Sequence, residues 1–203
     1  MNKKTILLGA ATLLCTITAA LAEPGMTTGD AMKTGARTSQ PIGHYEFCQT
    51  NKAECNVRSR DDRPVALTPR LWQTLVQVNR RVNADITPET DLDIWGKAEV
   101  WSYPTTAGDC EDYVLLKRQL LNAAGIPLAN LLITVVRQMN GEGHAVLTVR
   151  TDHGDYILDN LETRIKLWSQ TNYDYLKRQS THNSGAWVAV NDDRQVLVGS
   201  IGQ

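Results

Sequence analysis

The chain has 203 residues, with 21 basic against 22 acidic side chains and a single phenylalanine. A near-neutral balance with no basic stripe excludes a nucleic-acid footprint, and the length suits one domain large enough to bury a real core. Aromatic packing falls to five tryptophans and six tyrosines.

Lys3 and Lys4 precede an apolar run from 6 to 21 that ends in Ala20-Leu21-Ala22, the small-x-small pattern of a signal peptidase site. Thr12, Thr16 and Thr18 interrupt the run, which falls short of the roughly 20 apolar residues of a membrane span. Residues 1–22 are therefore expected to be a cleaved export signal rather than an anchor, and Leu14 before Cys15 argues against a lipid anchor. Cleavage removes two lysines and no acid, leaving 181 residues with 19 basic and 22 acidic groups, a net charge of −3. The expected location is periplasmic or secreted, with no membrane span after processing.

Residues 23–40 are rich in Thr, Gly, Ser and Ala and read as a flexible lead-in to a folded domain over 41–203. Cys48 and Cys55 lie seven positions apart in a polar, turn-rich stretch and are expected to pair in an oxidising compartment. Cys110 is then the odd thiol, which is either a buried apolar filler or a reactive group.

Pro69 at a helix-start position, followed by Leu71, Leu75, Val76 and Val78 at near-helical spacing, predicts an amphipathic helix over 68–83. Residues 86–104, with Pro88, Gly96, Pro104, Trp95 and Trp101, read as an irregular connector. The next helix, 110–124, has Asp109 as a candidate cap and Glu111 and Asp112 in its first turn. Tyr113, Leu116, Leu120 and Ala124 line one face, and Gly125 and Pro127 end the helix.

Short aliphatic runs at 131–136, 145–150 and 156–158, separated by Asn140-Gly141 and by 151–154, predict consecutive antiparallel strands. Residues 166–178 read as a loop-helix cover, and 187–190 with 195–198 as a final hairpin across Asn191-Asp192. His44, His153 and His182 lie in polar surroundings and are expected at the solvated surface.

A thiol at a helix start meets unpaired backbone N–H groups and the positive dipole end, which favour the attacking thiolate. Asp109, Glu111 and Asp112 work against Cys110 in this respect, because negative neighbours raise a thiol pKa. His144, opening a strand after Gly141-Glu142-Gly143, can supply the base, or it can be a hairpin-loop surface residue. Asp159 closes the apolar run 156–158 nearly opposite it and can orient the imidazole, or it can simply begin a turn. Trp101, nine residues before Cys110, is a candidate second oxyanion donor through its indole, or a core residue.

Three segments carry a resemblance: Gly108-Asp109-Cys110-Glu111-Asp112-Tyr113, His144-Ala145-Val146-Leu147 and Leu158-Asp159-Asn160-Leu161. In this order, within roughly residues 65–190, they resemble the bacterial transglutaminase-like cysteine peptidases. The resemblance implies an α+β, papain-like or transglutaminase-like core in which the helix bearing the nucleophile packs on an antiparallel sheet. It also implies a Cys-His-Asp triad at Cys110, His144 and Asp159. The best-known relatives are calcium-dependent periplasmic proteases that clip surface adhesins, and their acidic ligands match Asp109, Glu111 and Asp112. Calcium at these residues would offset their effect on the thiol, while helix capping is the plainer role for the same acids.

No EF-hand, zinc cluster or organic cofactor motif is present. The chain therefore reads as an exported cysteine hydrolase acting on peptide or isopeptide bonds of periplasmic or surface proteins. Two other readings use the same residues: a non-catalytic peptide- or calcium-binding module, and an acyl transferase of the transglutaminase type. The expected partner is a protein or peptide substrate, and no motif specifies a regulatory protein.

Overall fold

The computed structural model describes residues 31–194. The expected export signal, the start of the lead-in and the outer strand expected at 195–198 lie outside the described residues. In chain order the elements begin with β1 (Thr34–Thr38), α1 (Ile42–Thr50), α2 (Lys52–Cys55) and α3 (Pro69–Asp85). β2 (Thr87–Pro88), α4 (Asp91–Trp95), β3 (Ala107–Gly108) and α5 (Cys110–Ala123) follow. The chain then builds β4 (Leu131–Arg137), β5 (Gly143–Thr151), β6 (Gly154–Leu158), β7 (Lys166–Leu167), β8 (Asp174–Ser180) and β9 (Asn183–Val190).

Both long helices follow their predicted bounds for local reasons. Thr68 accepts a hydrogen bond from the Leu71 N–H at 3.1 Å, and Pro69 takes the first helical position, where its missing N–H costs nothing. α5 ends where the chain turns through Gly125 at φ 98°, a left-handed conformation that a side chain would strain. Between the helices, β2 pairs in parallel with β3, so the connector read as irregular is an ordered excursion pinned at both ends and carrying α4.

Seven strands form one sheet in the order β1-β9-β8-β4-β5-β6-β7, each neighbouring pair antiparallel. The predicted succession β4, β5, β6 is present, with Leu147 opposite Leu158 and the turn at 151–154. Side-chain alternation sends Ala145, Leu147 and Val149 of β5 under α5, where they meet Val114, Leu115 and Leu121. Val146 instead joins Met32, Val136, Ile157, Trp168 and Tyr175 in a second core on the other face. α3 locks onto α5 through Val82, Ile86 and Tyr113. No helix of the described residues is long and apolar enough to cross a membrane.

Four expectations are corrected. The lead-in is not wholly flexible: β1 pairs with β9, but all five of its residues are exposed, so nothing in their hydrophobicity announces a strand. The 166–178 cover is instead β7, a 3-10 turn and the start of β8, an interior strand. β8 escapes a hydrophobic pattern because two of its three buried side chains, Arg178 and Gln179, are polar and paired, with Tyr175 the third. Arg178 meets Asp155 at 3.4 Å, and Gln179 accepts from the Ile133 N–H and donates to the Ser184 carbonyl.

The partner of 187–190 is β8, with which β9 forms the hairpin. Finally, His44 is 1% exposed, enclosed by the rings of Trp101 and Trp187 at 5.3 Å each. His153 and His182 are at the surface, as expected. Cys48 and Cys55 are joined in a disulfide with Cα atoms 5.6 Å apart, leaving Cys110 free.

Burial, aided by the charge of Arg118, holds the His44 imidazole down at about 4. Folded His44 therefore stays neutral while the unfolded chain takes up a proton below its ordinary value of 6.5. Stability is expected to fall as pH drops from 6.5 towards 4, by an amount on the order of 3 kcal/mol. His44→Gln should flatten this limb in urea titrations at successive pH values; an unchanged slope would exclude His44 as its source.

Candidate active site

Cys110 is the first residue of α5, partly buried at the edge of the core beneath β5. Its Sγ donates to Oε2 of Glu111 at 3.1 Å and accepts from the backbone N–H of Ala145 at 3.3 Å. His144 is the residue before that N–H, and no hydrogen bond joins the sulfur to the imidazole among the described residues. Burial pushes the thiol far up, and the charge and hydrogen bond of Glu111, with Asp109, add to the effect. The Ala145 N–H alone opposes them.

His144 is buried, and its Nε2 meets Oδ1 of Asp159 at 2.8 Å. Nδ1 has no hydrogen-bond partner among the described residues. Oδ1 of Asp159 also accepts from the Leu161 N–H at 3.0 Å, and Oδ2 accepts from the Tyr173 hydroxyl at 2.6 Å. Burial alone would raise this carboxyl, but the bond to His144 and those from Tyr173 and Leu161 hold it below the ordinary carboxylate value. Asn83 of α3 donates to the Asp159 carbonyl at 2.8 Å, which fixes the backbone beneath the carboxylate.

Around Cys110 the acids converge further than the sequence suggested. Oxygens of Asp91, Asp109 and Glu111 lie within 4.8 Å of one another. Asp112 shares their field: burial pushes it to about 7, and the charges of Asp109 and Asp91 add to that. Burial, then Asp109, raises Glu111 to about 8, and burial raises Asp91. Asp91 escaped the sequence reading because it sits in the connector, where an acid after Thr90 looks only like a helix-start residue.

Asp109 makes no side-chain cap to α5, so the capping expectation is not met. Its Oδ1 is buried without a partner, as are Oδ1 of Asp91 and Oδ2 of Asp112. Asp112 is admitted by Gly108, where a Cβ would stand 2.6 Å from its Oδ2.

The grouped oxygens of Asp91, Asp109 and Glu111, two of these residues having an unpartnered oxygen, fit a hard divalent cation such as calcium, which binds all-oxygen ligand sets. Asp91, Asp109 and Glu111 are the residues grouped to hold it, with Asp112 in their field.

Trp101 lies in the core. Its indole contacts His44 and Trp187 edge-on, and its Nε1 is buried without a hydrogen-bond partner. Beside Asp159 opens a cleft of about 440 Å³ whose walls include Gln138, Met139, Glu162, Arg164 and Tyr173.

An α+β fold with a free thiol at a helix start and a buried His-Asp pair on an antiparallel sheet is in keeping with the transglutaminase-like fold class. The family model for bacterial transglutaminase-like cysteine proteinases matches residues 34–195, and the chain belongs to that family. It is a transglutaminase-like cysteine peptidase.

Solved structures of LapG from Legionella pneumophila are similar. One is 28% identical, covering 61% of this chain and 71% of that chain, with a TM-score of 0.49. The EGTA-treated form is 26% identical over 64% and 76%, with a TM-score of 0.50. The calcium-bound form is 24% identical over 74% and 82%, with a TM-score of 0.51. No curated protein matches the chain.

Lys117, two turns along α5 from Cys110, is wholly buried with Nζ unpartnered, 5.8 Å from the centre of the Tyr113 ring. Burial lowers it to about 7, against the pull of Asp159. Because its ordinary value of 10.5 lies above this, the group costs stability as pH falls from 10.5 to 7. Lys117→Met should therefore stabilise the fold at pH 7 by about 1–3 kcal/mol and flatten the alkaline limb. A destabilised variant in denaturant titration would show that the ammonium has a partner in solution.

Proposed function

We propose that the chain is an exported protease in which Cys110 is the nucleophile, His144 the base and Asp159 the orienting carboxylate, acting on periplasmic or surface proteins. The observation that carries this reading is the buried His144-Asp159 pair. Its bond through Nε2 leaves Nδ1 unengaged, and the N–H of the next residue, Ala145, holds the sulfur. The family supplies a protein substrate, and the expected export signal supplies the compartment.

In this reading the thiol proton passes to Nδ1 of His144, and the thiolate forms a bond to the carbonyl carbon of a peptide or isopeptide. The developing oxyanion would meet the Cys110 backbone N–H at the helix start, while the Trp101 indole N–H, expected as a second donor, lies against Gly43 in the core. Nδ1 returns the proton to the leaving amine, and the C–N bond breaks. Water then gives a proton to Nδ1 and opens the thioester, restoring the thiol.

As it stands, the thiol is committed to Glu111. Asp91, Asp109, Glu111 and Asp112 would hold calcium, which supplies positive charge that neutralises the acids. LapG has been solved with calcium bound, in keeping with this assignment. Glu111 would then serve as a ligand, and His144 would be left as the proton acceptor for Cys110.

In the presence of calcium, iodoacetamide should alkylate Cys110 at least about tenfold faster than free cysteine at pH 7, and His144→Ala should abolish the excess. A wild-type rate equal to that of free cysteine would leave a binding module on the same fold. Titration calorimetry should show calcium binding weakened by about tenfold or more in Asp91→Ala, with loss of the calcium-dependent rise in melting temperature. Equal affinity in the variant would remove Asp91 from the ligand set.

A further inference from the structure

The triad carboxylate is unevenly supported. Oδ1 of Asp159 carries two bonds, from His144 and from the Leu161 N–H, and neither reaches the second oxygen. Oδ2 has one donor among the described residues, the hydroxyl of Tyr173 at 2.6 Å. The same ring lies 5.6 Å from the His144 imidazole, tilted by 53°, so it also limits how that ring can turn. Tyr173 precedes β8, 14 positions from Asp159, and is therefore independent of the hairpin that carries the acid and the base.

We propose that Tyr173 is a positioning residue: its hydroxyl pins Oδ2 of Asp159 so that Oδ1 stays aimed at Nε2 of His144, leaving Nδ1 directed at the thiol. This inference rests on the triad reading above. A phenol has one proton to give, and in giving it to Oδ2 it favours the ionised carboxylate. Burial and the bond to Asp159 raise Tyr173 well above the ordinary phenol range, so it stays a donor throughout the working pH range. The groups facing Asp159 are His144 from β5, Lys117 from α5, Tyr175 from β8 and Tyr173 itself; Tyr173 is in turn faced by Tyr175 and Glu162. Because Tyr173 and Asp159 share a wall of the 440 Å³ cleft, a substrate filling the cleft would cover this bond and shield it from water.

Tyr173→Phe keeps the ring and removes the hydroxyl. With calcium present, alkylation of Cys110 should slow by about tenfold, and its acid limb should move to higher pH by about half to one unit. By proton NMR, the His144 Nε2–H signal should shift or exchange faster with water, while the melting temperature stays within a few degrees.

A fluorinated tyrosine installed at 173 strengthens the donor without changing its shape, and should move the acid limb the other way. It serves as the test if the phenylalanine variant does not fold. Unchanged rate, acid limb and His144 signal in either variant would overturn the role of Tyr173. Should wild-type Cys110 react no faster than free cysteine, the proposed function falls, while the His144 signal still decides the role of Tyr173.

Discussion

Burial of like charge around the first turn of α5 is the constraint on which the site depends. Asp91, Glu111 and Asp112 are each less than a tenth exposed, and Asp109 stands among them. Carboxylates taken out of water and set together repel one another, so they must be protonated, hydrogen-bonded or matched by a cation. The fold makes a specific effort to assemble them. The β2–β3 pair pins the excursion that carries Asp91, the Val100 and Ser102 N–H groups each satisfy one oxygen, and the bare Cα of Gly108 makes room for Asp112. A fold selected only for stability would not leave oxygens of Asp91 and Asp109 unpaired in one acidic cluster.

The same field reaches the sulfur. A helix start ordinarily favours a thiolate, but here desolvation and Glu111 outweigh the backbone contribution and hold the thiol protonated. Position and activation are therefore separate properties of Cys110. Position comes from α5 and the Ala145 N–H; the protonation of the thiol is set by burial first and then by the charge on Glu111.

How much of this could be read from the chain follows from where each contact lies. α5 was legible because its stop signals and apolar spacing are local, and β4 to β6 because aliphatic runs alternate with turn chemistry. Cys110, His144 and Asp159 were legible as residue types in a recognisable order, each at the end of an element that could itself be read. β8 was not, because an interior strand whose polar side chains are paired has no hydrophobic rhythm. His44 was misplaced for the same reason: aromatic neighbours distant in sequence bury it, while its local surroundings are polar. Asp91 and Tyr173 reach the site through tertiary contacts alone, and nothing in their own neighbourhoods marks them.

β1 contributes no side chain to either core, yet it occupies one edge of the seven-stranded sheet. There it covers β9, whose unpaired backbone groups would otherwise be offered to any extended chain nearby. Its sequence, Thr34-Gly35-Ala36-Arg37-Thr38, is short and polar, a poor template for further strand addition. The strand thus acts as a guard against self-association, a task that asks little of amino-acid identity and much of backbone continuity.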